Sequence, residues 1–265
     1  MLYTATGDNV LTVMVWVVIS GVMQLAIKLE TSESFVPPLH YNHLIQGFIY
    51  EAIDPKLSRF LHDHGYRVDN RPFRLFVFSR LLGKYQINRS NKTISFEPGI
   101  RLWIASPLEE FCFSMVRNIV RRGDLHLSKY LLKSVGYDTL TPEITTQTIT
   151  VNTLSPVAVY STFLRPDNRK YTVYFQPGDP DYNRLITDNL KRKYQAIYRK
   201  SPPKEDMSVR AASRLKMNIV RYKGFIIKGY SGRLQITGPK SLLDIALHTG
   251  LGAKNSQGFG FIQLK

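Results

Sequence analysis

Four of the six histidines, His40, His43, His62 and His64, fall in one stretch of the chain. They are interleaved with Tyr41, Tyr50 and Tyr66 and followed by Arg67, Arg71 and Arg74. Imidazole titrates near neutrality, so it can take the proton of a ribose 2′-hydroxyl or give one to a leaving 5′-oxygen, a role contributing about 10²–10⁴-fold to rate. A neighbouring arginine can hold the charge that gathers on the phosphorane, and a tyrosine hydroxyl can orient the nucleophile or donate to an oxygen. Such a site uses no metal and demands RNA, because the nucleophile is the 2′-hydroxyl. The spacing of His62 and His64 also suits a metal pair, but no second cluster of carboxylates or thiolates at ligand spacing accompanies it, so no metal and no cofactor are expected.

A second chemical feature closes the chain, where Gly250, Gly252, Gly258 and Gly260 surround Lys254, Asn255 and Ser256 before the apolar run Phe261-Ile262-Gln263-Leu264. Glycine lets a backbone approach a phosphate closely, and the three polar residues are expected to contact phosphates or bases. No Gly-Lys-Ser/Thr closes the loop and no helix follows it, which argues against nucleoside triphosphate or dinucleotide binding.

Composition points the same way. Lys and Arg number 36 against 20 Asp and Glu, a net charge of +16, which favours a polyanionic partner over an anionic membrane surface. Fifteen Tyr and 14 Phe offer stacking platforms for bases. The single cysteine, Cys112, sits in the apolar run Phe111-Cys112-Phe113; it excludes an internal disulfide and reads as a buried, inert thiol in a cytoplasmic protein. Residues 10–22 are strongly apolar yet shorter than the ~20 residues a membrane span needs, and no Lys or Arg precedes Lys28 as a signal peptide would require. Translation is therefore expected to start at Met23, with residues 1–22 an apolar extension and no membrane association.

The elements that must position these residues follow from periodicity. Residues 24–30 read as a strand, and Leu44, Ile45, Phe48, Ile49, Ala52 and Ile53 recur at helical spacing over about four turns, leaving His43, Gln46, Gly47 and Tyr50 on the other face. A short helix fits Lys56 to His64, capped by Gly65. Strand-like runs at Phe73–Leu82, Thr93–Phe96 and Ile100–Ala105, a helix from Pro107 to Gly123 and a strand at Leu125–Ser134 complete a β-α-β-β-α-β order. Residues 148–160, 172–175, 217–221, 225–230 and 234–237 (strands), 181–199 and 240–248 (helices) repeat the scheme less cleanly. The expected fold is α+β, two tandem ferredoxin-like (RRM-like) domains dividing near Tyr137–Thr145: residues 23–140, and residues 141–265 with the glycine-rich loop.

Basic residues crowd the second half: Lys191-Arg192-Lys193, Arg199-Lys200, Arg210, Arg214, Lys216, Arg221, Lys223, Lys228 and Arg233. Around Tyr222 and Tyr230 they alternate along strands. A positive sheet face with aromatic interleaving suits RNA, and Arg214, Lys216, Arg221, Lys223 and Lys228 are its expected contacts.

Tyr41-Asn42-His43, Gln46-Gly47-Phe48-Ile49-Tyr50, Phe60-Leu61-His62, Phe76-Val77-Phe78-Ser79, Leu154-Ser155-Pro156-Val157 and the Gly250–Gly260 loop together resemble the CRISPR-associated repeat-RNA endoribonucleases of the repeat-associated superfamily. The likeness runs in order over residues 23–265. It implies two ferredoxin-like domains and metal-independent cutting of precursor CRISPR RNA within its repeats, leaving a 2′,3′-cyclic phosphate and a 5′-hydroxyl. It also implies a catalytic set of tyrosine, histidine and lysine, here Tyr50, His62 and, with no clear lysine match, Arg74, Arg71 or Arg67, of which Arg74 aligns best. Arginine can clamp a phosphate but is a poor proton donor, so its role would be charge stabilisation. Members with a displaced histidine leave His40 and His43 as alternatives. The rival reading is a non-catalytic RNA-binding scaffold in a CRISPR effector complex; effector proteins and a second copy in a homodimer are the protein partners either reading leaves room for.

Overall fold

The computed structural model describes residues 24–31 and 35–265. Met23 and the apolar run 10–22 lie outside the described residues, and so does the start-site expectation.

The first half is laid down as β1 (Gln24–Glu30), α1 (Asn42–Ala52), α2 (Pro55–Asp63), β2 (Tyr66–Val68), β3 (Arg71–Phe73), β4 (Val77–Phe78), β5 (Tyr85–Asn88), β6 (Thr93–Phe96), β7 (Ile100–Ala105), α3 (Glu109–Arg122), β8 (Asp124–Leu127) and β9 (Tyr130–Leu140). Its sheet runs β4-β7-β1-β9-β8, every pair antiparallel. Without the β8 edge this is the ferredoxin-like strand order, with the first strand central. Leu25, Ile27 and Leu29 on one face of β1 join Ile45, Phe48 and Ile49 of α1 and Phe111, Met115 and Ile119 of α3 in a core. The other face of β1 carries Gln24, whose buried Nε2 donates to Leu247 O (2.9 Å) and Ile262 O (3.0 Å) in the second half.

The second half comprises β10 (Thr148–Thr153), β11 (Val159–Leu164), β12 (Lys170–Phe175), α4 (Tyr182–Tyr198), β13 (Ser208–Ala211), β14 (Lys216–Tyr222), β15 (Phe225–Ser231), β16 (Arg233–Thr237), α5 (Lys240–Thr249) and β17 (Ile262–Leu264). Its sheet order, β13-β16-β10-β17, repeats that of the first half once the hairpins β11–β12 and β14–β15 are set aside as insertions. Ile149, Val151, Leu234 and Ile236 pack beneath Ile186 and Leu190 of α4 and Leu242, Leu243 and Ala246 of α5.

Several elements differ from expectation, each for a local reason. The run 148–160 is two strands, because Ser155 leaves the ladder to donate its hydroxyl to Phe78 O (3.1 Å) and to accept from Phe261 N (2.9 Å). Of the run 73–82, Val77 and Phe78 form the strand that pairs with β7 and Leu82 makes a single bridge to Arg101 of that strand; Leu75 takes a positive φ of 52° just before them. The run 125–134 turns at Ser128, and β9 continues to Leu140 paired with Gln24. The β2–β3 hairpin is made by Asp69-Asn70, both at positive φ (47° and 59°), the turn chemistry that favours tight hairpins. First-helix periodicity ends at Ala52, three turns long, since Asp54-Pro55 starts α2. Among the described residues no helix is long and apolar enough to cross a membrane. Cys112 is buried, its thiol donates to Ser106 O (3.7 Å), and burial pushes it up to about 12.

The two halves meet along a packed seam. Val77 and Ala105 bury against Phe261, and Arg80 donates to Asn218 Oδ1 across the seam (2.9 Å). The glycine-rich loop is thereby fixed against the first half's helix α1.

Candidate active site between the two halves

α2 presents His62. Asp54 caps its N-terminus by accepting from Lys56 N (2.8 Å) and Leu57 N (3.3 Å), and Pro55 occupies the first turn. Leu57 and Leu61 are buried one turn apart, so the next residue, His62, is turned out with 67% of its side chain exposed. Its Nδ1 is bonded to Asp63 Oδ1 (2.7 Å). With Nδ1–H donating to that carboxylate, Nε2 is the ring nitrogen left to accept a proton. The same bond holds the Asp63 carboxyl below its ordinary value.

Tyr50 projects from α1, its ring edge-on to His62 (5.5 Å between centroids) and to Phe76 (5.6 Å). Burial raises its phenol, and a hydrogen bond and charge from Arg74 oppose that rise. Arg74 also donates from Nη2 to His62 O (3.0 Å). One guanidinium therefore ties the tyrosine to the histidine turn. These three residues and Arg71 line an open cleft of about 780 Å³ between the halves, with Lys254, Asn255, Ser256 and Lys223 among the residues lining it.

The glycine-rich loop is held by side chains from both halves. Asn42 Nδ2 donates to Gln257 O (2.8 Å) and Gln46 Nε2 to Ser256 O (2.6 Å), while Tyr222 donates its hydroxyl to Gln46 Oε1. Burial raises the Tyr222 phenol to about 12, with the nearby Tyr50 adding to the shift. Lys254 reaches over the Tyr160 ring (5.7 Å). Part of the loop's backbone is committed inside the protein. The amides of Leu251, Ala253, Gln257, Gly258 and Gly260 are spent on carbonyls inside the protein. A Cβ at Gly260 would collide with Leu251 O, and one at Gly258 would lie 2.6 Å from Asn42 Nδ2. Both also sit at positive φ, so they let the loop fold upon itself.

The remaining candidates are dispersed. His40 and His43 do not line the cleft. His43 Nδ1 lies 3.2 Å from His40 O, and burial, then Arg221, lower the pKa of His40. Arg67 is exposed on β2, outside the lining. Of the five basic candidates assigned to the sheet face around Tyr222 and Tyr230, Lys223 alone lines the cleft; Arg214, Lys216, Arg221 and Lys228 are exposed on or beside the β14–β15 hairpin. Asn255 differs most from expectation. It is 8% exposed and its carboxamide is committed inside the loop, donating to Leu251 O (3.3 Å) and Phe259 O (3.0 Å). Lys193, which the sequence groups with Lys191 and Arg192 as basic surface, is buried. A signal existed: Lys193 stands seven residues after Ile186 and three after Leu190, on the apolar stripe of α4. Asp63 and Tyr160 carried no sequence signal, since each matters only through a partner.

Comparison with known proteins agrees with this architecture. Residues 36–135 match the family described as "CRISPR-associated protein Cas6, N-terminal" and residues 139–264 the one described as "CRISPR associated protein Cas6, C-terminal". The chain is 24% identical over 247 residues to "CRISPR-associated endoribonuclease Cas6 1" of Methanocaldococcus jannaschii, covering 91% of this chain and 92% of that one. It is likewise 24% identical over 248 residues to "CRISPR-associated endoribonuclease Cas6" of Pyrococcus furiosus, covering 89% and 86%. Among solved structures, a Cas6-related protein from Pyrococcus furiosus superposes with a TM-score of 0.80 at 21% identity, covering 92% of this chain and 99% of its own. One described as "An RAMP protein binding different RNA substrates" superposes at 0.76 and 18% identity, covering 92% and 99%. With both family regions matched in order across the two halves, the chain belongs to the CRISPR-associated Cas6 family.

Proposed function

We propose that this chain is an endoribonuclease that cuts precursor CRISPR RNA within its repeats, without a metal, by attack of a ribose 2′-hydroxyl on the adjacent phosphate. One observation carries the reading: a single open cleft is lined by an exposed imidazole, a tyrosine and an arginine from the first half and by Lys223, Lys254 and Ser256 from the second. The names of the relatives from Methanocaldococcus jannaschii and Pyrococcus furiosus support it. We divide the chain functionally at residues 140 and 141, with the chemistry on the first part and the RNA grip on the second.

In this scheme His62 Nε2 accepts the 2′-hydroxyl proton while Asp63 holds Nδ1–H. The 2′-oxygen bonds to phosphorus, the bond from phosphorus to the 5′-oxygen breaks, and the protonated imidazole returns its proton to that oxygen. The products are a 2′,3′-cyclic phosphate and a 5′-hydroxyl. Tyr50 orients the nucleophile or donates to a phosphoryl oxygen, and Arg74 offsets the charge that builds on the phosphorane. Lys254 and Ser256 hold neighbouring phosphates or bases, and the exposed basic residues of β14–β15 guide the flanking strand.

The test is incubation with the host's repeat RNA in EDTA, beside the same RNA carrying a 2′-deoxy nucleotide at the scissile position. Cleavage of the first at one position, with a cyclic phosphate end and no cutting of the second, is expected. Binding without cleavage would replace the reading with an RNA-holding role in an effector complex.

A further inference from the structure

Lys193 is 3% exposed, and four oxygens surround its Nζ. It donates to Gly250 O (2.7 Å) and Asn255 Oδ1 (2.8 Å), and more weakly to Thr249 O and Gly252 O (3.4 Å each). None of the four is a carboxylate. Burying an ammonium without a counter-charge is unfavourable, and a methionine or leucine would suit this position on the apolar stripe of α4. What an apolar side chain could not do is satisfy the carbonyls that the positive-φ residues Gly250 (84°) and Gly252 (74°) carry toward this point. Burial pushes the Lys193 pKa down to about 7. Charged or neutral, Nζ retains N–H groups to donate.

We propose that Lys193 is a positioning residue for RNA binding: its Nζ acts as an internal hydrogen-bond donor around which the loop 250–260 is wound, so that Lys254 and Ser256 are held out toward the cleft. Asn255 completes the device. Its Oδ1 accepts from Lys193, while its Nδ2 fixes Leu251 O and Phe259 O on either side of the turn. The loop's partners in the first half, Asn42 and Gln46, then meet carbonyls whose positions Lys193 has set. This assignment rests on the RNA-binding role proposed above for the same loop.

The test measures affinity for repeat RNA blocked by a 2′-deoxy nucleotide, single-turnover cleavage of unmodified RNA at saturation, and hydrogen exchange of the free protein. Lys193→Met is expected to weaken affinity by ~10-fold or more, the loss of two strong hydrogen bonds, with a smaller change in the saturated cleavage rate. Amides 250–260 should exchange faster while α4 and α5 keep their protection. In Lys193→Ala, propylammonium should restore affinity and tetramethylammonium, which has no N–H to donate, should not. Wild-type affinity in a folded Lys193→Met protein, or an equal response of Lys193→Ala to the two ammonium ions, overturns the proposal. If Lys193→Met does not fold, Asn255→Ala carries the test: an affinity loss that spares the saturated rate supports the proposal, and unchanged affinity overturns it. Wild-type protein that neither binds nor cuts the RNA would instead overturn the functional reading, while loop exchange in Lys193→Met would still report on the loop.

Discussion

On the first-half wall of the cleft, His62 stands 67% exposed on the last turn of α2, steadied by Asp63. On the facing wall, Asn255 is 8% exposed and bonded to Lys193, Leu251 and Phe259. In the proposed function the contrast follows from what each wall would do. A group that moves a proton has to reach the reacting atoms and change charge, so full burial would work against it. A loop that holds a polyanion gains from having its shape settled before binding, because ordering it at the moment of binding would be subtracted from affinity. Tyr50 and Gln46, one turn apart on α1, join the two walls: the first meets Arg74, the second Ser256 and Tyr222.

The largest expected break in this comparison is His62→Ala, which should slow cleavage by about 10²–10⁴-fold in single-turnover assays while RNA affinity changes far less. If cleavage survives, the same substitution at His43 and then His40 locates the base. Gly260→Ala attacks the opposite wall. It forces a side chain toward Leu251 O at positive φ, and a stability loss of about 1–3 kcal/mol in urea unfolding is expected, together with weaker RNA binding. Lys193 gives a pH signature of similar size. Its folded pKa of about 7 lies below that of an unfolded lysine, so above pH 7 the unfolded chain holds a proton the folded chain has released. Stability contributed by this group therefore rises with pH from about 7 toward the ordinary lysine range, at no more than ~1.4 kcal/mol per unit, and Lys193→Met should flatten the slope. Tyr222→Phe removes the hydroxyl that links the β14–β15 hairpin to Gln46; a loss of about 1 kcal/mol in stability or RNA affinity is expected by unfolding and binding titrations. The smallest effects belong to the exposed cations. Alanine at Lys216, Arg221 or Lys228 should each reduce the slope of log K against log salt by about 0.7 if that residue neutralises one phosphate of single-stranded RNA.

Much of the scaffold was legible because it depends on local pattern. Ile45, Phe48, Ile49 and Ala52 keep helical spacing and bury together, Asp54 and Pro55 open α2, and Gly65 follows its end at positive φ. The strand order of the first sheet accords with the β-α-β-β-α-β succession read there, and the second sheet repeats it although the sequence shows the succession less cleanly in that half. Strand ends were less legible. Ser155 breaks the run 148–160 through a hydroxyl bonded to Phe78, 77 residues away, and Ser208–Ala211 is a strand through pairing with Arg233–Thr237.

The sequence by itself determined the chemical inventory: a histidine, tyrosine and arginine set in one half, a glycine-rich loop in the other, and a charge of +16 that calls for a polyanion. Only the tertiary structure decided which of those groups share one space. Burial and hydrogen-bond partnership are properties of distant neighbours, so a lysine in a basic run could be surface or core until α4 was packed against the loop. The same packing turns Asn255 inward, leaves Lys254 and Ser256 on the cleft lining beside His62, and places His40 and His43, the alternatives the sequence kept open, outside that lining.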